Sequence, residues 1–216
     1  MDTVSNPAIY KTRDSAIALK SDGNPEGKGV SGFLLDWEQS KPLSVTAKPQ
    51  RRILAEFFTS MLVLSANFKY KPVVGKPNYL YWQNNEWRLS LVAPEEWSGT
   101  RHAWFAGTCE LQLDRTWTID PSDTLAEDNA VSQAVARFYD AFAEMMDTDL
   151  TLEEILPFFV RKMPYYQRLN ASSLSRSLRS SMILGDQTSI RCRDWHRKLP
   201  GVSRLLLPGS HRTIAS

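Results

Sequence analysis

The sequence predicts an α+β fold: a small antiparallel sheet of three or four strands packed on a helix, with a helical C-terminal half. Short stretches of alternating apolar and polar residues lie between 79 and 119, and an apolar stripe with helical spacing precedes them. Helix-start signals follow them. Five of the seven tryptophans fall in the strand-rich stretch, at positions 82, 87, 97, 104 and 117.

The composition is that of an ordinary globular protein. Of 216 residues, 42% are apolar and 23% are charged, and the net charge is only +2. No cationic segment precedes an apolar run at the start, and the most apolar run, 53–68, contains Glu56 and is short for a bilayer span. The two cysteines, Cys109 and Cys192, suggest neither a disulfide framework nor a zinc site. We therefore predict a cytoplasmic protein without a membrane span, metal or cofactor.

Composition also suggests the domain boundaries. We expect residues 1–45, with their cluster of Gly, Asn and Pro, to form a flexible arm in which the apolar island 32–37 could dock on the core. Residues 46–184 should form a single α+β domain. Residues 185–216 show no durable periodicity and are expected to be a basic, disordered tail. Residues 120–160 hold ten Asp/Glu and one Lys/Arg, whereas 161–216 hold eleven Lys/Arg and two Asp/Glu, a net of +9.

The first helix is predicted at 49–66. Pro49 suits a first helical turn, where its missing N–H has no intrahelical partner to lose. Apolar residues recur at spacings of three and four, namely Ile53, Leu54, Phe57, Met61, Leu64 and Phe68. Further apolar residues lie off this stripe, so we expect the helix to be buried on two sides.

Period-two alternation predicts the sheet. We expect strands at 79–83, 87–93 and 103–113, and a short fourth strand at 116–119. Asn84-Asn85 should form the first hairpin turn, because Asn tolerates positive φ. The alternation assigns one face to Trp87, Leu89, Leu91 and Ala93 in strand two, and one face to Phe105, Gly107, Cys109, Leu111 and Leu113 in strand three.

Three helical segments are predicted in the C-terminal half. The N-cap cluster 120–123 should start a helix that runs to about Met146. Thr151, with Glu154 three residues on, forms a capping box for a second helix, which Pro157 should kink. Residues 165–184 are a serine-rich helical candidate.

The strand segments also support a family resemblance. They read YLY (79–81), SLVAPEEW (90–97), FAG (105–107), LD (113–114) and TWT (116–118). This pattern resembles the uncharacterised family catalogued as domain of unknown function 2452 (DUF2452), over about residues 50–120. The resemblance implies a helix followed by a small sheet, and it implies no established activity.

The aromatic residues allow two interpretations. Large rings can simply fill the core of a small sheet, or they can form a wall that holds a cation, a base or a peptide. Because the alternation places rings on both faces, we select Trp82, Trp97 and Trp104 as candidate binding residues, with Arg88 and Glu95 beside them. The leading hypothesis is a non-enzymatic protein- or peptide-binding or scaffold domain, or self-association through this sheet.

The basic arm supplies a second hypothesis. Its cations surround Trp195 and are Arg191, Arg193, Arg197 and Lys198. They could bind nucleic acid through phosphates, with the tryptophan stacked on a base. The arm could equally fold back on the acidic helix 123–147 of its own chain or of a partner subunit, or remain a solvated tail.

An enzyme is the third hypothesis. Glu95 or Glu96 could act as a general acid or base beside Trp97, although adjacent residues rarely converge on one substrate. Cys192 and His196 are four residues apart, and no second pair completes a metal site. The sequence contains no phosphate loop, GxSxG or HExxH motif. We therefore predict no catalytic residue.

Overall fold

The computed structural model describes residues 30–97, 103–158 and 163–206. These residues form an α+β fold with a helical C-terminal half, as the sequence predicts. The elements are α1 Val30–Gln39, α2 Gln50–Leu64, β1 Pro77–Gln83, β2 Glu86–Ser90, β3 Phe105–Leu111, β4 Trp117–Pro121, α3 Ala130–Met146, α4 Leu152–Ile155, α5 Tyr165–Leu184, α6 Cys192–His196 and α7 Val202–Leu205. Two short 3₁₀ turns, Pro94–Glu96 and Asp123–Ala126, follow β2 and β4.

The four strands form one antiparallel sheet in the order β2-β1-β3-β4. Asn84 and Asn85 have φ values of 53° and 60° and make the two-residue turn between β1 and β2, as expected. The inner face of the sheet joins the core through Leu80, Leu89, Cys109, Leu111 and Ile119. The outer face carries the alternate residues, including Tyr79 and Tyr81.

A bulge in β3 changes the predicted facing of one aromatic residue. Leu80 pairs with Gly107, but the next residue, Tyr81, pairs with Phe105, so Ala106 is an extra residue in β3. We expected Phe105 on the same face as Gly107. The inserted residue instead turns Phe105 to the outer face, where its ring lies against those of Tyr79 and Tyr81.

The ends of two strands also differ from the prediction. β2 stops at Ser90, so Leu91 leaves the sheet and is 61% exposed. β3 stops at Leu111, and Leu113 lies in the β3–β4 turn, 55% exposed. Alternation alone extends a strand until a turn residue stops it, and neither segment contains an early stop signal.

Helix α2 is the centre of the core and is buried on two sides, as its apolar girth predicts. On one side, Phe57 and Phe58 each pack edge-to-face on Phe142 of α3, with ring centroids 5.3 Å apart in both pairs. On another side, α2 contacts α5. α5 is largely buried, and its small residues let the two helices approach closely.

The segments expected to form an arm and a tail include ordered elements that pack on the domain. In α1, Asp36 accepts a hydrogen bond from the hydroxyl of Tyr165 at 3.0 Å and forms an ion pair with Lys71 at 2.7 Å. In the expected disordered tail, Cys192, Trp195 and Leu205 are fully buried. Sequence periodicity failed there because α6 and α7 span only five and four residues. Residues 1–29 and 207–216 lie outside the described residues.

Helix α3 starts later than expected. The cluster at 120–123 ends β4 and begins the 3₁₀ turn, and Asn129 is the cap of α3. Its Oδ1 accepts from the backbone N–H groups of Val131 and Ser132 at 2.9 and 3.0 Å. Within the described ranges, no helix combines the length and apolar character needed to cross a bilayer.

Candidate functional site

The outer face of the sheet carries a cluster of four aromatic rings, which we call the aromatic patch: Tyr79, Tyr81, Trp97 and Phe105. The ring of Phe105 lies 6.3 Å from that of Tyr79 and 5.5 Å from that of Tyr81, and Tyr81 lies 6.1 Å from Trp97. The cluster is separate from the hydrophobic core described above. Tyr81 is buried within the patch, while the other three rings are half-buried.

The turn after β2 holds Trp97 in place. The Glu96 carboxylate accepts a hydrogen bond from the backbone N–H of Ala93 at 3.0 Å, which closes the turn. The hydroxyl of Tyr81 donates to the carbonyl of Val92 at 2.9 Å. Burial, opposed by the contact with Trp97 and assisted by the charges of Glu95 and Glu96, raises the pKa of Tyr81 to about 12.

The structure brings only some of the predicted binding residues to this patch. Trp97 is part of it, Arg88 is exposed on the outer face directly across from Tyr81, and Glu95 is exposed in the adjoining turn. Trp104 is half-buried in the turn that leads into β3. The sequence-based selection favoured tryptophans and omitted Tyr79, Tyr81 and Phe105, although alternation along the predicted strand 79–83 places the two tyrosines on one face.

Trp82 lies on the opposite, inner face. Its ring stacks at a tilt on Trp87, with centroids 4.9 Å apart, and the guanidinium of Arg137 from α3 lies 5.8 Å from the ring centroid. Trp82 is therefore a packing residue between the sheet and α3.

The basic arm folds back on its own chain. Arg193 forms ion pairs with Asp147 and Asp149 at 3.3 and 3.1 Å, and Arg191 approaches Asp149 at 3.7 Å. Asp147 is the C-cap of α3, so this contact matches the alternative in which the arm meets the acidic helix.

The remaining members of the arm are also engaged. Arg197 pairs with Asp194 at 3.2 Å, and Lys198 donates to the side chain of Gln50 at 2.7 Å. Trp195 is fully buried and donates from its indole N–H to the carbonyl of Ile190. Its ring therefore cannot stack on a base in this conformation.

A second polar feature, absent from the sequence predictions, is a cleft of about 320 Å³ beside the N-terminal end of α2. Lys48 lies in it and donates to both carboxylate oxygens of Glu56, at 2.8 and 2.7 Å, and to Oδ2 of Asp114 at 2.5 Å. Arg52 Nε donates to Glu56 at 2.8 Å. The lining residues are Ser44, Lys48, Arg52, Glu56, Gln112, Leu113, Asp114 and Thr116.

This cleft contains an ion network that joins three segments of the chain. The Lys48 ammonium makes three short contacts with carboxylate oxygens, so it is engaged by Glu56 and Asp114. Burial alone would raise the pKa of Asp114, but the hydrogen bonds from Lys48 and Thr116 and the charge of Lys48 hold it below its usual value. The network therefore links three parts of the chain: the segment before α2 that contains Lys48, α2 itself, and the β3–β4 turn.

The two cysteines are buried and distant in sequence. Burial raises the pKa of the Cys192 thiol to about 11, with a contribution from the charge of Glu154. Burial also raises the pKa of the Cys109 thiol, which lies inside the sheet. Both groups are thiols at neutral pH and behave as small core residues.

The fold and these two features define a class of protein: an α+β domain with an aromatic patch on the outer face of a four-stranded antiparallel sheet. Residues 38–141 match the family model described as "Protein of unknown function (DUF2452)", which confirms the family resemblance. The match covers the whole sheet, the aromatic patch and the cleft. The chain has no match among curated proteins or among solved structures.

Proposed function

We propose that the chain is a non-enzymatic binding domain that captures an extended segment of a partner protein on the aromatic patch. One observation carries this proposal: Tyr79, Tyr81, Trp97 and Phe105 contact one another on the outer sheet face, apart from the core around α2. These rings do not cover α2 or α3, whose buried residues pack with the inner face of the sheet. Large aromatic side chains are enriched in protein–protein interfaces, and Trp and Tyr are enriched among the residues that contribute most binding energy.

The shape of the surface supports a polypeptide partner. Side chains on one face of a sheet form rows that run across the strands, and successive rows lie about 6.7 Å apart, twice the rise per residue. The row Arg88, Tyr81 and Phe105 and the row Ser90, Tyr79, Thr108 and Asp120 run across the sheet. An extended segment has side chains at a comparable spacing on each of its faces and can place them between these rows.

The neighbouring carboxylates suit a binding role better than catalysis. Glu96 is engaged with the backbone of Ala93, and Glu95 is exposed to solvent. A general acid or base needs a position next to a bound, water-shielded substrate. We therefore assign Glu95 and Glu96 the role of giving the binding surface negative charge.

The test is a selection from a display library of random twelve-residue peptides against the full chain. Enriched peptides are then measured by fluorescence anisotropy against the wild type, the double variant Tyr79→Ser/Phe105→Ser, and the control Leu184→Ser. Leu184 is an apolar side chain, 60% exposed, at the end of α5. We expect affinity to fall at least tenfold in the double variant and to stay within twofold in the control.

Two results would contradict the proposal. Peptides that bind the double variant as well as the wild type would place the binding surface elsewhere. A selection with no enrichment, together with a concentration-dependent mass in sedimentation that Tyr79→Ser/Phe105→Ser abolishes, would assign the patch to self-association instead.

A further inference from the structure

We infer that the segment captured by the aromatic patch is basic, and that it lays a Lys or Arg side chain on the rings with its charge between two groups of carboxylates. This inference rests on the proposed function and adds the chemistry of the partner. The observations that support it are the positions of acidic residues on both sides of the patch.

The first group of carboxylates lies beside Tyr81 and Trp97. Glu95 and Glu96 follow Pro94 in the 3₁₀ turn, and Trp97, the next residue, packs edge-to-face on Tyr81. The charges of Glu95 and Glu96 both help to raise the pKa of Tyr81, so the two carboxylates act electrostatically on this ring. A cation on the face of these rings therefore meets a ring quadrupole and a carboxylate together, which strengthens binding.

The second group lies beyond Phe105 and Tyr79. Asp120 stands in the same row as Tyr79, with Thr108 of β3 between them, about 10 Å across two strand spacings. Asp123 begins the 3₁₀ turn that is tied to β3, since the hydroxyls of Ser122 and Thr124 donate to the carbonyl of Phe105 at 2.8 and 2.7 Å. Acidic residues therefore flank the ring cluster on both sides.

The described residues of this face carry more negative than positive side chains. Among the described residues of the outer strand positions and the Pro94–Glu96 turn, five carboxylates face one guanidinium. The carboxylates are those of Glu86, Glu95, Glu96, Glu110 and Asp120, and the guanidinium is that of Arg88. Complementary charge steers a basic partner to this face and disfavours an acidic one.

The same charges argue against a symmetric dimer through this face. In a two-fold interface each residue meets the same surface on the other copy, so the carboxylates would meet one another. Like charges at an interface cost binding energy and exclude that partner. A basic segment of another protein fits both the rings and the acid.

The test uses three fluorescein-labelled, end-capped peptides: four repeats of Val-Lys, of Val-Gln and of Val-Glu. Binding of each peptide is measured at 50 and 300 mM salt to three forms of the full chain. These forms are the wild type, Glu95→Gln/Glu96→Gln and Asp140→Asn/Glu144→Gln. The second double variant removes the same charge from exposed residues of α3. Gln at 96 keeps an oxygen for the backbone N–H of Ala93.

We expect the Lys peptide to bind wild type at least tenfold more tightly than the Gln peptide, and the Glu peptide to show no binding. Glu95→Gln/Glu96→Gln should lower the affinity for the Lys peptide at least fivefold, whereas Asp140→Asn/Glu144→Gln should lower it less than twofold. The higher salt concentration should lower the affinity of the wild type for the Lys peptide as well. Peptides enriched from the random library should also contain more Lys and Arg than the starting library.

The outcomes separate this inference from the proposed function. Patch-dependent peptides without a Lys or Arg excess would overturn the basic partner and leave capture on the patch intact. Equal losses in the two charge variants would show non-specific attraction and also overturn it. No patch-dependent binding by any peptide would overturn the proposed function itself.

Discussion

Lys48 donates from its ammonium group to both carboxylate oxygens of Glu56, at 2.8 and 2.7 Å, and Glu56 is only 1% exposed. Breaking a buried ion pair by removing one partner leaves an uncompensated charge and costs about 3–5 kcal/mol. We therefore expect Lys48→Met to lower the free energy of unfolding by about 3 kcal/mol, since Arg52 still reaches Glu56. Urea unfolding followed by tryptophan fluorescence measures this.

The matched control is Lys41→Met. Lys41 pairs with Glu38 at the surface, where the two side chains are 47% and 63% exposed, and such pairs contribute about 0–1 kcal/mol. The double variant Lys48→Met/Glu56→Leu should recover part of the stability lost in Lys48→Met, because it removes the buried charge. A loss below about 1 kcal/mol in Lys48→Met would show that the network does not cross-link the fold.

Truncation of Trp82 should cost more stability than truncation of Trp97. Trp82→Ala removes the ring between Trp87 and Arg137 and opens space beside the core, so we expect a loss of about 2–3 kcal/mol. Trp97→Ala removes the edge-to-face contact with Tyr81 and the indole hydrogen bond to the carbonyl of Val92 from a half-buried position, so we expect a loss of about 1 kcal/mol. Chemical denaturation measures the free energy of unfolding of both variants. Equal losses of stability would place Trp97 in the core as well.

Most of the fold follows from local sequence signals, and the aromatic patch follows only in part. The bounds of α5 and the Asn84-Asn85 turn agree with the sequence, because helical periodicity and turn chemistry act over a few residues. The outward turn of Phe105 depends on a bulge, which alternation does not reveal. Trp195 shows the same limit, because its burial requires packing of α6 against distant elements.

The cleft could not be predicted because its partners are distant in the chain. Lys48 and Asp114 are 66 residues apart. The one available signal was Glu56 inside an apolar helical run, since a charge buried on such a face must find a partner. Its partner Arg52 is visible at the spacing of four residues, whereas Lys48 and Asp114 meet it only through the tertiary fold.

Gly107 should be intolerant of any side chain. A Cβ atom there would lie 2.5 Å from the carbonyl oxygen of Asp120 and 2.9 Å from Cγ1 of Ile119, both on the neighbouring strand. Relief requires β3 and β4 to separate, so we expect Gly107→Ala to cost about 2 kcal/mol or more. Gly201→Ala is the control, because a Cβ there meets open space. Thermal unfolding of both compares them, and a neutral Gly107→Ala would contradict the β3–β4 packing described above.

Asp114 should make the protein sensitive to acid in a defined range. Its folded-state pKa is held below the unfolded value of about 3.9 by Lys48 and Thr116, which outweigh the effect of burial. The unfolded state therefore binds more protons in the pH range between the folded and the unfolded pKa, so the stabilisation is present in full above about pH 4 and is lost as the pH falls through the folded pKa.

Asp114→Asn removes this titration. Compared with wild type, the variant should be less stable at pH 7, and the difference between the two should shrink between pH 4 and pH 2. Urea midpoints at pH 7, 4, 3 and 2 measure the difference, and Asp140→Asn provides a control on the exposed face of α3. A difference that stays constant over this range would mean that Asp114 titrates at its ordinary pKa, and that Lys48 gives its carboxylate no preferential stabilisation.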